Sequence, residues 1–184
     1  SSYFSSTANN NTFKGNTIQN FYYYGIYLNY VNGETVEGND ISRANATSNN
    51  AYSYLYGMYS YYSYGIQMVK NRIHDLPYAG ASGTAGSSYI YGIYTYYNRP
   101  STARSSFVDN NIIENCLSYY YFYGIYSYYS YNHSVSNNKV RFNSNYSYYF
   151  YGIYSYFDQL VKLNSNQIDT NSNNGYYFYG LEIG

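Results

Sequence analysis

Apolar residues alternate with polar or aromatic ones at period two along much of the chain, as in Ile26 with Leu28, Ile66 with Met68, and Leu181 with Ile183. Alternation of this kind predicts strands with one buried face. Tyr, Ile, Val, Phe and Thr dominate while Ala, Glu, Lys and Leu are scarce, so the expectation is an all-β chain with essentially no α-helix. A repeated string organises the alternation. Tyr-x-Tyr-Gly followed by Ile, Leu or Met occurs six times, with its glycine at Gly25, Gly57, Gly92, Gly124, Gly152 and Gly180, at intervals of 32, 35, 32, 28 and 28 residues. Periods in this range belong to solenoids, whose units bury their apolar faces only against their neighbours.

A second motif keeps step with the first. An apolar leader (Phe13, Val36, Met68, Val108, Val135, Leu163) precedes by three residues an asparagine (Asn16, Asn39, Asn71, Asn111, Asn138, Asn166), and Ile or Val follows two residues later. From each glycine to the next such asparagine is 14 residues in four cases and 19 in the fifth. The unit is therefore a loop of about 28 residues with at least two short strands, one around Gly-Ile-Tyr-x-Tyr and one around Val-x-Asn-Asn-x-Ile. Strands repeated at this spacing can pair with the same strand one turn away, giving long parallel sheets coiled about an axis. Asparagine at one fixed place per turn suits such a coil: it tolerates the left-handed conformation of a tight corner, and its amide can bond the asparagines above and below. The residue before it is Gly15, Gly38, Asn110 or Asn137 in four turns, which also suits a corner with positive φ.

On these residues, and on the degenerate turn from Gly124 to Asn143, the chain resembles the pectin-lyase-like superfamily of right-handed parallel β-helix repeat proteins. The resemblance covers essentially all 184 residues and implies one β-solenoid domain, 1–184, of about six turns. It implies the fold and not the function, because that superfamily holds polysaccharide lyases and hydrolases, adhesins, phage tailspikes and purely structural repeats.

The 36 tyrosines need a physical account. Relative to the repeat glycine, position minus three (Tyr22, Tyr54, Tyr89, Tyr121, Tyr149, Tyr177) and position minus one (Tyr24, Tyr56, Tyr91, Tyr123, Tyr151, Tyr179) are tyrosine in every turn, and plus two is tyrosine in five (Tyr27, Tyr59, Tyr94, Tyr126, Tyr154). Position minus two (Tyr23, Leu55, Ile90, Phe122, Phe150, Phe178) mostly lacks a hydroxyl and is assigned to the core, as is the Ile, Met or Leu after the glycine. These inward positions have opposite parity, so the strand is expected to bend at the glycine and to send three tyrosine columns outward. Rings in such columns would lie about 4.8 Å apart and could stack.

Composition narrows the partners. Nine basic against nine acidic residues leave a net charge of zero, which removes the electrostatic argument for nucleic acid and leaves self-association unopposed. No apolar run approaches the roughly 20 residues of a membrane span. Cys116 stands alone, excluding an internal disulfide and a cysteine cage, and reads as a buried structural thiol. No catalytic constellation emerges. The best polar group is His74 and Asp75 with Asp109, Arg99 and Arg104, read as solvated loop charges, and no cofactor or metal is expected. Three stretches break the rhythm, Ala44 to Ser53, Leu76 to Ser88 and Asn98 to Ser106, and read as loops leaving the solenoid. Sequons occur at Asn10, Asn45, Asn132 and Asn145.

The chain starts at Ser1, without Met or a signal segment, and reads as a processed form or a fragment. It stops four residues past Gly180, and joining Gly184 to Ser1 of another copy would place Asn16 20 residues after Gly180, so the register continues across the junction. The reading is a non-enzymatic, extracellular or cell-surface structural subunit that polymerises head to tail by strand addition. Its joint would pair Phe13, Ile18, Phe21 and Ile26 with Leu163, Ile168, Phe178 and Leu181 of the next copy. The alternatives are a carbohydrate-binding or carbohydrate-processing β-helix fragment, with glycans as partner, and a fragment of a surface adhesin.

Overall fold

The computed structural model describes residues 10–44, 54–76, 89–116, 118, 120–142, 148–170 and 177–184. Among them lie eighteen strands in three six-stranded, all-parallel sheets, and no helix. The first sheet holds β1 (Thr12–Lys14), β4 (Thr35–Glu37), β7 (Gln67–Val69), β10 (Ser106–Asp109), β13 (His133–Ser136) and β16 (Lys162–Asn164) in that order. The second holds β2 (Thr17–Gln19), β5 (Asp40–Ser42), β8 (Arg72–His74), β11 (Ile112–Glu114), β14 (Lys139–Phe142) and β17 (Gln167–Thr170). The third holds β3 (Tyr24–Asn29), β6 (Tyr54–Tyr61), β9 (Tyr89–Tyr96), β12 (Tyr121–Tyr128), β15 (Tyr149–Tyr156) and β18 (Tyr177–Ile183). Each strand pairs with its equivalents one turn away, so six rungs of three strands build a parallel β-helix. The unit has three strands, one more than the minimum of two, because the Val-x-Asn-Asn-x-Ile segment bends in its middle.

The bend corrects the assignment of the corner. The left-handed residue is the one before the ladder asparagine in all six rungs, Gly15 (φ 65°), Gly38 (62°), Lys70 (55°), Asn110 (56°), Asn137 (55°) and Ser165 (53°). The asparagine itself turns inward. Its Nδ2 donates to the Oδ1 of the next rung's asparagine, from Asn16 to Asn39 at 2.9 Å through to Asn138 and Asn166 at 3.1 Å. Its backbone N–H donates to the same oxygen, and its second Nδ2 hydrogen to a backbone carbonyl one rung back, as from Asn111 to Met68 O at 2.9 Å. A buried carboxamide with every polar atom engaged locks the corner and costs little in desolvation.

The glycine of the Tyr-x-Tyr-Gly repeat has a different reason from the bend alone. A Cβ at Gly124 would lie 2.5 Å from Gly152 O and 2.5 Å from Val140 Cγ1, and the glycines of the first to third and the fifth rungs would collide in the same way with the next glycine's carbonyl and a second-sheet isoleucine. The third sheet thus approaches the second so closely that only hydrogen fits. The parity change does occur there: in β12, Phe122, Ile125 and Ser127 are buried while Tyr121, Tyr123, Tyr126 and Tyr128 face out. Inside, apolar columns stack in register, Val36–Met68–Val108–Val135 on the first sheet, Ile41–Ile73–Ile113–Val140 on the second, and Met58–Ile93–Ile125–Ile153 on the third. All of these are 0–1% exposed, and each contributes about 1.5–3 kcal/mol of burial.

Candidate functional site

Chemistry on the surface of this solenoid is concentrated in its rings. The minus-one column runs Tyr24–Tyr56–Tyr91–Tyr123–Tyr151–Tyr179 with centroid separations of 5.2, 4.8, 4.9, 4.7 and 4.9 Å. The plus-two column, Tyr27–Tyr59–Tyr94–Tyr126–Tyr154, follows at 5.3, 4.9, 4.9 and 5.1 Å. The two columns also stack on each other, Tyr91 on Tyr94 at 5.2 Å and Tyr123 on Tyr126 at 5.0 Å, making a continuous two-dimensional array. The minus-three column stacks from Tyr54 to Tyr177 at 4.6–4.9 Å.

Outward does not mean solvated. Tyr56 and Tyr91 are 8% and 7% exposed because the plus-two rings lie over them. Burial, then the neighbouring phenols, pushes the Tyr91, Tyr94 and Tyr56 hydroxyls far above the ordinary value, and burial pushes Tyr24, Tyr96 and Tyr151 up to about 12. These raised phenols are neutral at every physiological pH.

Two further columns escaped the sequence reading. Position plus four gives Tyr61–Tyr96–Tyr128–Tyr156, and plus five gives Tyr30–Tyr62–Tyr97–Tyr129–Phe157 at 5.6, 4.5, 5.1 and 5.1 Å. The plus-five residues form the corner after the third sheet, all left-handed with φ of 48–55°. Their Tyr-Tyr doublets in the sequence were the available signal. Beside this corner Tyr97, Tyr129, Phe157, Arg99, Tyr131 and Gln159 line a 390 Å³ groove, with buried Ser130 beneath. The Arg99 guanidinium lies 5.9 Å from the Tyr97 ring centre and pairs with no acidic residue among those described.

The polar cluster expected near His74 is different from the one present. Asp109 is elsewhere, accepting from Asn137 at 2.8 Å, and Arg104 donates to Gly33 O and to Thr35 Oγ1. His74 instead lies between two carboxylates, Nδ1 2.6 Å from Asp75 and Nε2 2.8 Å from Asp40. Arg72 bridges Glu114 at 2.8 Å and Asp40 at 3.7 Å, and Arg141 continues the chain of charges to Glu114 at 3.3 Å and Asp169 at 3.9 Å. This is a ladder of ion pairs binding neighbouring rungs of the second sheet on its outer face. Cys116 lies just past β11, fully buried, its Sγ donating to Glu114 O. The loops 45–53 and 77–88 and the sequons at Asn45 and Asn145 lie outside the described residues.

The residues assigned to the axial joint lie on the first and sixth rungs and divide by exposure within each. Phe13, Phe178 and Leu181 are 43%, 47% and 51% exposed, whereas Ile18, Phe21, Ile26, Leu163 and Ile168 are partly buried against the core. Their columns are sealed in the middle rungs, where Val135, Phe150 and Ile153 are 0–1% exposed.

Residues 42–182 match the family model described as periplasmic copper-binding protein (NosD). Among solved structures, the Streptococcus pneumoniae surface protein and adhesin PfbA aligns over 95% of this chain and 67% of its own length, at 10% identity and a TM-score of 0.22. No curated protein sequence matches the chain.

Proposed function

Because the chain belongs to the NosD family of periplasmic copper-binding proteins, a right-handed parallel β-helix family, we propose that it is a structural, non-enzymatic solenoid that works outside the cytoplasm and assembles head to tail with further copies of itself. Family membership supports the periplasm, outside the cytoplasm, as its location. The observation that carries the assembly reading is that the apolar columns fully sealed in the middle rungs are only partly covered on the first and sixth, with Phe13, Phe178 and Leu181 43–51% exposed. Such an edge is completed by another rung of matching register, Leu163 over Phe13 and Ile168 over Ile18, through backbone strand addition and continued side-chain ladders. The near-neutral charge opposes no such contact, and the stacked tyrosine array gives the filament a stiff flank.

Electron microscopy of the purified chain at neutral pH, with diffraction for a layer line near 4.8 Å, tests the reading. Uniform thin filaments with that repeat are expected, and discrete monomers over a wide concentration range sink it. A second reading, glycan binding, has one specific observation in its favour: the groove at Tyr97, Tyr129 and Phe157 sets ring surface beside the Arg99 guanidinium, which pairs with no acidic residue among those described, and the Gln159 amide. Saturable glycan binding by a monomeric chain, lost in Tyr131→Ala, would favour it. Copper, which the family name carries, is not accommodated by the described side chains, since no three His, Cys, Asp or Glu residues among them converge on one point.

A further inference from the structure

The mismatch between the family's name and this chain's donor atoms reaches further than the lack of a cluster. Copper is selected by thiolate, thioether and imidazole ligands, and a site needs several of them free to converge. This sequence contains one cysteine, two methionines and two histidines, and all five lie among the described residues, as do all nine acids. The residues outside the description therefore hide no soft donor.

Each of the five is already committed to the fold. Met58 is a core residue of the third sheet between Ile26 and Ile93, and Met68 one of the first sheet between Val36 and Val108; both are 0% exposed. Cys116 is equally buried and its thiol proton is donated to Glu114 O at 3.3 Å. His133 points into the core with Nδ1 3.1 Å from Ser106 Oγ, and reaching its Nε2 would require opening the solenoid.

His74 is the one imidazole near the surface, and with Asp40 and Asp75 it looks at first like a mixed nitrogen and oxygen site. Its two ring nitrogens are both taken by those carboxylates. Arg72 occupies the position a cation would need, its Nη1 3.5 Å from His74 Nε2 and 3.7 Å from Asp40 Oδ2. A fixed guanidinium there repels a metal ion and supplies the positive charge that the carboxylates require.

We infer that the folded solenoid of this chain takes up no copper, Cu(I) or Cu(II), and that what it shares with its family is the β-helical scaffold without the metal chemistry. The inference is independent of the filament reading. The test is calorimetric titration of the full chain with Cu(II), and competition for Cu(I) against a chromogenic chelator under reducing conditions, both at neutral pH. The expected result is no stoichiometric uptake tighter than about 1 µM, and no rise of the unfolding midpoint when copper is added. One equivalent bound more tightly than that overturns the inference, whichever donor holds it. The variants His74→Gln and His133→Gln, checked for native circular dichroism, would then identify the donor. A converse variant sharpens the test: Arg72→Ala removes the guanidinium from the His74 cluster, so copper affinity appearing only in that variant supports the inference by showing what excludes the ion.

Discussion

His133 stands on β13 with 1% of its surface exposed, its Nδ1 bonded to Ser106 Oγ on the neighbouring rung at 3.1 Å and its Nε2 without a partner among the described residues. Burial pushes the imidazole from its ordinary 6.5 down to about 4, the Ser106 contact opposing only in part. The folded state therefore binds fewer protons than the unfolded chain between those values, and stability rises with pH across that window. The contribution is fully present above pH 6.5 and is lost progressively as pH falls toward 4. The interval from 6.5 to 4 amounts to about 3 kcal/mol at about 1.36 kcal/mol per pH unit. Guanidinium unfolding at pH 7 and pH 4 of the wild type and His133→Gln isolates this group. Asp158 works in the opposite sense, because burial raises its carboxyl above 3.8 and acidification relieves that cost, but it contributes equally to both proteins. The wild type should lose about 3 kcal/mol more than the variant on acidification. Identical pH dependence in the two would refute the argument, since it would mean that the imidazole reaches a proton without unfolding.

Three substitutions test the ladders. Asn111→Ala leaves Met68 O and Asn71 N–H buried without the carboxamide they use, and should cost about 4 kcal/mol, read as a lower denaturant midpoint at unchanged slope. Gly124→Ala drives a methyl into Gly152 O and Val140 and should cost about 3 kcal/mol; adding Val140→Ala should not restore stability, because the carbonyl collision remains. Tyr94→Leu removes ring contacts at 4.9 Å with both Tyr59 and Tyr126 and should cost about 1–3 kcal/mol in thermal unfolding, whereas Tyr94→Phe, which keeps them, should cost clearly less.

The repeat register was legible because each of its signals answers to one geometric demand. Gly124 must be glycine for lack of space, Asn138 must be asparagine to donate and accept along one line, and Val135 and Val140 must be apolar because they face inward. Spacing alone located these, and the parity change at the glycine followed from Phe122 and Ile125 both needing the interior. What spacing could not reveal was the conformation of a residue whose type does not advertise it. Lys70 and Ser165 take the left-handed corner that Gly15 and Gly38 make obvious, held there by backbone bonds such as Lys70 N to Asp109 O at 3.1 Å. The buried polar chemistry was equally hidden. Asn98 accepts from Ser60 Oγ at 2.9 Å, and Asp158 from Ser155 Oγ at 2.7 Å and Ser130 N–H at 2.6 Å, yet in sequence Asn98 reads as the start of a loop leaving the solenoid and Asp158 carries no mark of burial.

The plus-five corner carries the strongest statement about what shaped this surface. A left-handed conformation costs a residue with a side chain about 1–2 kcal/mol, and a bulky ring is among the least suited to it. Glycine or asparagine would turn the chain at less cost, and Gly33 and Gly65 do so three residues later in the first two rungs. Yet Tyr30, Tyr62, Tyr97, Tyr129 and Phe157 all accept the strain. Each interior member stacks on two neighbours at 4.5–5.6 Å, which returns about 0.5–1.5 kcal/mol per pair beyond burial. The gain roughly offsets the strain and leaves no surplus of stability to explain the choice. Core filling does not explain it either, because Tyr30 and Phe157 remain 38% and 48% exposed. What the rings add over glycine is a continuous aromatic ridge along the axis, and a ridge gains from every rung added to it. That is the expected balance for a solenoid whose contacts run along its length and onto its neighbours, in accord with the filament we propose.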